Sequence, residues 1–175
     1  AQLLLASVGA TRLDTGAFVA SEKATVDHLR AAYRRVLLFL AADDLTSDDP
    51  EGVMPEVGRR IADLVDATLE ASLALARRDI DPQGRIPLAI IAMGKTGARE
   101  LNYISDVDVV YVADSGADGD ERGVLEVATR LAAATASACS GPGTEAPLWT
   151  VDTNLRPEGR NGALVRTVES YRQYW

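Results

Sequence analysis

The amino-acid sequence predicts an α/β (α+β) fold in which a helical N-terminal segment runs into a small sheet. Three observations predict it. Apolar residues recur at helical spacing through most of the chain before Pro82. From residue 86 to 114 the pattern changes, and IPLAIIAMGKTGARELNYISDVDVVYVAD reads as strand, Gly-rich turn, short polar segment and second strand. A third apolar strand, LWTVDTNL, follows at residues 148–155 and carries an acid, Asp152.

The elements follow in order. Residues 1–20 carry mixed signals: Leu3-Leu4-Leu5 suits the end of a helix, and the stretch 9–16 suits a loop. Residues 21–42 predict a long helix, with Val26, Leu29, Tyr33, Val36, Leu37 and Leu40 at helical spacing. Arg30, Arg34 and Arg35 fall near its polar side and read as a solvated face; His28 reads as a surface residue. Residues 43–50 are acidic and break the helix, with Asp48-Asp49-Pro50 as a turn. Residues 55–78 predict a second helix. Its apolar stripe is Ile61, Leu64, Val65, Thr68, Leu69, Ser72 and Leu73, Pro55 sits near its start, and Asp63, Asp66 and Glu70 form its wet face. Residues 79–84 are a linker punctuated by Pro82 and Gly84.

Residues 87–93 read as a buried strand, because the run is short, apolar and contains two Ile. Gly94-Lys95-Thr96-Gly97 then breaks the chain sharply, with glycines that permit positive φ and close approach to a ligand. Residues 106–112 form the second strand, 114–120 a flexible Gly/Asp turn, and 121–138 an Ala-rich helix that packs on the sheet as a crossover. Residues 141–147 are a loop. In the third strand Trp149, Val151, Thr153 and Leu155 make the apolar face, so Asp152 faces away from the core. No repeat, low-complexity tract or coiled coil is present.

Composition narrows the function. The chain has 175 residues and 47% hydrophobic content, enough for one packed domain with a helical annex. The net charge of −8, from 18 basic and 26 acidic residues, argues against nonspecific nucleic-acid binding, which relies on Lys and Arg against phosphates. It suits a protein partner or a small nucleotide. Cys139 stands alone in the Ala-rich helix and reads as a small buried apolar residue. One His cannot build a His cluster. The longest apolar run, 36–42, is too short to span a bilayer, no signal peptide is visible, and a cytoplasmic, non-membrane protein is expected. The chain begins without Met and stops inside a helical pattern, as expected of a fragment of a longer protein.

The chemistry concentrates at the second strand. With a period of two, Asp106 and Asp108 point to one face and repel each other. Mg²⁺ or Mn²⁺ between them relieves that repulsion, since hard cations take carboxylate oxygens. A bare Asp-x-Asp at a strand start is ordinarily just solvent-facing. Here the pair heads a strongly apolar strand, follows a Gly-rich turn and precedes another strand with an acid. Gly-Lys-Thr also invites comparison with a P-loop. Ala89 occupies the position where that motif needs its first glycine, and Gly97 makes a poor helix interior, so the P-loop reading is set aside.

GKTGARELNYISDVDVVYV resembles the signature G-K-x-G-x-x-E-L-N-x-x-S-D-x-D of the glutamine synthetase adenylyltransferase/deadenylylase family, within the nucleotidyltransferases of DNA polymerase β type. Gly94, Asp106, Asp108 and Asp152 match the superfamily pattern in order. VDTNLRPEGRNGALVRTVESYRQYW resembles the family's Asp-x-x-Leu-Arg-Pro-x-Gly segment and following helix, and Asp44-Leu45 resembles an element of the helices ahead of its core. The resemblance implies a polymerase-β-like nucleotidyltransferase core with a mixed sheet. Residues 1–84 would then be a helical lead-in, 85–160 the catalytic core and 161–175 the start of a C-terminal helical region.

It further implies that Asp106, Asp108 and Asp152 hold Mg²⁺ or Mn²⁺, two ions in all, with Asp108 bridging. Asp152 would ligate one ion or help a proton leave the nucleophile. The turn at Gly94, with Lys95 and Ser105, would contact phosphate. Arg156 would stabilise phosphate charge or pair with Glu158. Arg99 and Glu100 would pair or orient the loop, and Asn102 would hold its backbone. The family enzyme has two nucleotidyltransferase domains: one attaches AMP from ATP to a tyrosine of glutamine synthetase, the other removes it with phosphate, giving ADP. Glu-Leu-Asn ahead of Ser-Asp-x-Asp, then Leu-Arg-Pro-x-Gly, resembles the removing, N-terminal domain. The implied partners are glutamine synthetase, a nucleotide and a PII signalling protein. The attaching reaction, a small-molecule nucleotidyltransferase of the antibiotic-modifying kind and a non-catalytic regulatory domain are the alternatives.

Overall fold

The chain opens with a short helix, α1 (Gln2–Ser7), in a computed structural model that describes residues 2–114 and 120–174. Two strands of two residues, β1 (Thr11–Arg12) and β2 (Phe18–Val19), then pair antiparallel. This hairpin lies partly in the stretch expected to be a loop, and strands so short leave no period to read. Helix α2 (Val26–Leu45) starts later than residue 21, because Thr25 caps it by accepting the His28 N–H at 3.2 Å. Helix α3 (Pro50–Ile80) starts earlier than residue 55. Asp49 accepts the Gly52 N–H at 3.0 Å, and Pro50 occupies a first-turn position where its missing N–H is harmless. Pro55 therefore sits inside the helix rather than near its start.

Helix α3 is the hub. One face packs Leu64, Ala67, Ala71 and Leu75 against Leu4, Leu29 and Tyr33 of α1 and α2. Another packs Val57, Ile61, Val65 and Leu69 against the sheet residues Val107, Val109 and Tyr111 and against Ala128 and Ala132. Asp63, Asp66 and Glu70 stay exposed between them.

The sheet is built around its central strand. Strand β3 (Leu88–Ala92) leads into a short helix, α4 (Gly94–Ala98), and then into β4 (Val107–Ala113). The crossover helix α5 (Glu121–Ser140) follows, capped by Asp120 through the Gly123 N–H at 3.1 Å. Then come β5 (Val151–Asp152), a 3₁₀ turn over Gly159–Asn161, β6 (Val165–Thr167) and α6 (Val168–Tyr174). Strand β3 runs antiparallel to β4; β5 and β6 run parallel to it along the other edge. The parallel pairing requires a crossover, which α5 supplies as expected. The Gly/Asp turn expected at 114–120 lies largely outside the described residues.

Four expectations change. Strand β3 is an edge strand: Ala89 and Ile91 are exposed, while Leu88, Ile90 and Ala92 are half-buried, because helices cover only one face. Strand β5 is shorter than 148–155, since Asp152 Oδ1 accepts the Asn154 N–H at 2.7 Å and turns the chain away. Residues 165–167, in the stretch expected to begin a helical region, add a strand to the sheet before the helix starts. Arg30 and Arg34 are not a solvated face. Arg30 is 0% exposed, and its guanidinium donates to the carbonyls of Ala138 (3.0 Å), Gly141 (2.8 Å) and Glu145 (2.8 Å). Arg34 donates to the Glu145 carboxylate at 3.0 Å and to the carbonyls of Ala146 and Pro147. Together they bind the C-terminus of α5, whose carbonyls attract cations, to the loop that delivers β5.

Cys139 is buried as expected, 3.3 Å from Ser72 Oγ, and burial pushes its thiol up to about 11. His28 is exposed. Among the described residues no helix is long and apolar enough to cross a membrane.

Candidate active site

Where β3 runs out, the chain stays tied to β4. The Met93 N–H donates to the Asp108 carbonyl at 2.9 Å, and the Asp108 N–H donates to Thr96 Oγ1 at 3.2 Å. The break expected at Gly94-Lys95-Thr96-Gly97 is a short helix. Gly97 lies inside it, because a Cβ there would stand 2.6 Å from the Ala92 carbonyl oxygen. That helix removes one ground for setting the P-loop aside; the other, Ala89 in the strand, stands. Gly94 has φ +50°, and a Cβ there would lie 2.5 Å from Asp108 Oδ2. Its missing side chain is what leaves room for the Asp108 carboxylate.

The carboxylates gather at this end of β4. Asp108 and Asp152 are partners in the parallel register of β4 and β5, so their side chains share one face as neighbours. Asp106, exposed, lies one residue before β4 and by the strand period belongs to the same face. Burial, then the charges of Asp152 and Asp106, push the Asp108 carboxyl above its ordinary value, while Lys95 pulls it back. The charge of Lys95 on α4, which precedes Asp108 in the motif, thus acts on that carboxylate. Like charges opposite each other in a sheet are destabilising on their own. By chemistry a hard cation suits this donor set: the oxygens are of the right kind, and the repulsion marks where positive charge is needed. As the side chains lie, no three His, Cys, Asp or Glu among the described residues close around a single point.

The loop between α4 and β4 is pinned at several points. Arg99, at φ 60°, pairs with Asp63 and, at 3.2 Å, with Asp66, so part of the expected wet face of α3 receives the loop. Asn102 Oδ1 accepts the Ile104 N–H at 3.0 Å and the Ser105 hydroxyl at 2.9 Å, holding the loop backbone as expected. The Tyr103 hydroxyl donates to Asp44 Oδ2 at 2.8 Å, and its pKa is pushed up to about 12 by burial and by that carboxylate. Ser105 thus stands beside Asp106 with its hydroxyl turned to Asn102. Arg156 braces the turn after β5. It donates to the Thr153 carbonyl (2.7 Å) and hydroxyl (2.8 Å) and to the Gly162 carbonyl (3.2 Å). Glu158 lies instead 3.3 Å from Arg166. The structure therefore brings Gly94, Lys95, Asp106, Asp108 and Asp152 together, while Ser105 and Arg156 hold local backbone. Thr96 and the Tyr103–Asp44 bond join elements distant in the chain, so no local pattern marks them.

A family model described as glutamate-ammonia ligase adenylyltransferase matches residues 9–175. The chain belongs to the glutamate-ammonia ligase adenylyltransferase family. It is 48% identical, over 98% of its length, to the bifunctional glutamine synthetase adenylyltransferase/adenylyl-removing enzyme of Leifsonia xyli subsp. xyli. It is 49% identical to the enzymes of that name from Cutibacterium acnes, over 85% of its length, and from Streptomyces coelicolor, over 84%. The chain spans 18%, 15% and 15% of those three relatives, so it corresponds to one part of a much longer family protein. Enzymes so named are nucleotidyltransferases, and the helices and mixed four-stranded sheet are consistent with an α+β nucleotidyltransferase-like fold.

Proposed function

We propose that this chain catalyses metal-dependent removal of AMP from an adenylylated tyrosine of glutamine synthetase by phosphorolysis. The observation that carries the reading is the register of Asp108 against Asp152, with Asp106 on the same face and the Gly94 turn against Asp108. The choice of removal over attachment rests on Glu100-Leu101-Asn102 ahead of Ser105-Asp106-x-Asp108, and on Leu155-Arg156-Pro157-x-Gly159 after Asp152.

Asp106, Asp108 and Asp152 would hold Mg²⁺ or Mn²⁺, two ions in all. Bound there, they would supply positive charge to the reacting phosphoryl oxygens and to the leaving phenolate. An oxygen of inorganic phosphate attacks the α-phosphorus of adenylyl-tyrosine, and the bond from that phosphorus to the tyrosine oxygen breaks. ADP forms, and the phenolate takes up a proton. Asp152 holds an ion or receives a proton from the phosphate nucleophile. Lys95 and the backbone N–H groups at the start of α4 face the phosphate oxygens. Ser105 and Arg156 join them by exchanging the partners they hold here, since contacts in a site without substrate often tighten only in the reacting complex.

Residues 1–84 serve as the mainly helical lead-in, and the catalytic core takes in residues 85–160 together with β6 (Val165–Thr167), after which α6 begins. The protein works in the cytoplasm, under control of a PII protein. The test supplies adenylylated glutamine synthetase, Mg²⁺ and phosphate. Phosphate-dependent ADP is the expected product. Pyrophosphate from ATP and unmodified glutamine synthetase, with no ADP in the first assay, would assign the attaching reaction instead.

A further inference from the structure

The two most exposed large apolar side chains among the described residues are Ile104, at 92%, and Leu45, at 85%. They come from distant parts of the chain, yet one hydrogen bond joins their neighbours. Leu45 follows Asp44, Ile104 follows Tyr103, and the Tyr103 hydroxyl donates to Asp44 Oδ2 at 2.8 Å. The end of α2 and the loop entering β4 therefore meet at this bond. That contact lies beside the carboxylates, because Ile104 is followed directly by Ser105 and Asp106.

The loop is held in place. Asn102 folds it locally, Arg99 clamps its start to α3, and Tyr103 fastens its middle to α2. Ile104 is thus presented outward by a braced turn. The surroundings are acidic on balance: Asp43, Asp44, Asp48, Asp49 and Glu51 lie at the junction of α2 and α3 with no Lys or Arg among residues 43–51, and Arg60 of α3 pairs with Asp43 at 2.9 Å.

We propose that Ile104 and Leu45, bridged by Tyr103 and Asp44, dock the protein that carries the adenylyl-tyrosine, which meets them with an apolar contact rimmed by Lys or Arg. This rests on the function proposed above. A macromolecule that brings a tyrosine phosphodiester to Asp106, Asp108 and Asp152 must lay its surface beside the residue that immediately precedes Ser105. A small adenylyl ester has no such surface and does not need the contact. The patch therefore sets affinity for the protein substrate, and the carboxylates set the chemistry.

The test compares Ile104→Asp and Leu45→Asp with Val168→Asp. Val168 is also exposed, at 44%, but follows Thr167, which pairs with Ala113 at the far end of β4, roughly 17 Å along the strand from Asp108. Binding to immobilised adenylylated glutamine synthetase is measured by biolayer interferometry. Phosphate-dependent turnover of adenosine 5′-(4-nitrophenyl) phosphate is measured beside it. The expected result is about a tenfold or greater loss of affinity for glutamine synthetase in the first two variants, as for an interface anchor. Turnover of the small ester stays within about twofold of wild type, and Val168→Asp changes neither. Unchanged affinity in both Ile104→Asp and Leu45→Asp overturns the docking surface. Equal losses on both substrates overturn it too, because the loop would then be serving the carboxylates. A wild-type protein that binds and turns over neither substrate overturns the function beneath it, and the docking surface with it.

Discussion

Replacing Gly94 by Ala tests the geometry of the site from two sides at once. The backbone there has φ +50°, a region in which an L side chain costs roughly 1–2 kcal/mol. For a chain of this size that predicts a melting temperature lower by about 2–8 °C. The new methyl would also lie 2.5 Å from Asp108 Oδ2. Ordinary contact between carbon and oxygen needs roughly 1 Å more, so the carboxylate must swing away, and a displacement of that order can cost about a hundredfold in rate. Gly97→Ala is the control. Its methyl would stand 2.6 Å from a backbone oxygen, that of Ala92, so it strains the chain without touching Asp108 directly. The assay pairs circular-dichroism melts with ADP formation from adenylylated glutamine synthetase. Gly94→Ala should lose far more activity than its modest loss of stability explains. Wild-type activity in a folded Gly94→Ala protein would refute the claim that Gly94 makes room for a working Asp108.

Other substitutions probe the supports. Arg30→Met keeps the aliphatic stem but strands the buried carbonyl of Ala138 and the partly buried ones of Gly141 and Glu145; urea unfolding should show about 2–3 kcal/mol of destabilisation, and less than about 1 kcal/mol would contradict the account. Arg99→Ala loses two exposed ion pairs with Asp63 and Asp66, so stability should fall by about 1 kcal/mol or less in the same titration. Asp108→Asn should change the pH dependence of stability. The folded carboxyl is raised above its ordinary 3.8, so the folded state holds its proton more tightly than the unfolded chain. Its contribution is fully present below 3.8 and is lost as pH rises through the raised value. Melts without divalent ions should therefore show the variant losing less stability than wild type on the way to neutral pH, while its turnover falls roughly a thousandfold. Parallel pH profiles would contradict this.

Much of the site was legible because it lies in short, periodic stretches. The period of two in DVDVVYV aligned Asp106 with Asp108, and the apolar face of Trp149 and Val151 turned Asp152 away from the core. What remained hidden depended on partners distant in sequence. Arg30 reads as solvated because its helical position is polar; only the approach of α5 gives its guanidinium a set of carbonyls and buries it. Strand β3 reads as buried because its residues are apolar, but its exposure depends on which face the helices cover. Strand β6 has only three residues and runs straight into α6, too short for any pattern to distinguish it. The start of α3 was displaced because Pro55 draws attention as a helix opener, when Asp49 and Pro50 already supply the cap and first turn.

The central claim is that Asp106, Asp108 and Asp152 act together as one cation site. Mn²⁺ titration followed by electron paramagnetic resonance tests it without substrate or turnover. The wild-type protein should show saturable binding. Asp108→Asn and Asp152→Asn, each shown to be folded by circular dichroism, should each lose about tenfold or more in affinity. Unchanged Mn²⁺ affinity in both folded variants would contradict the account.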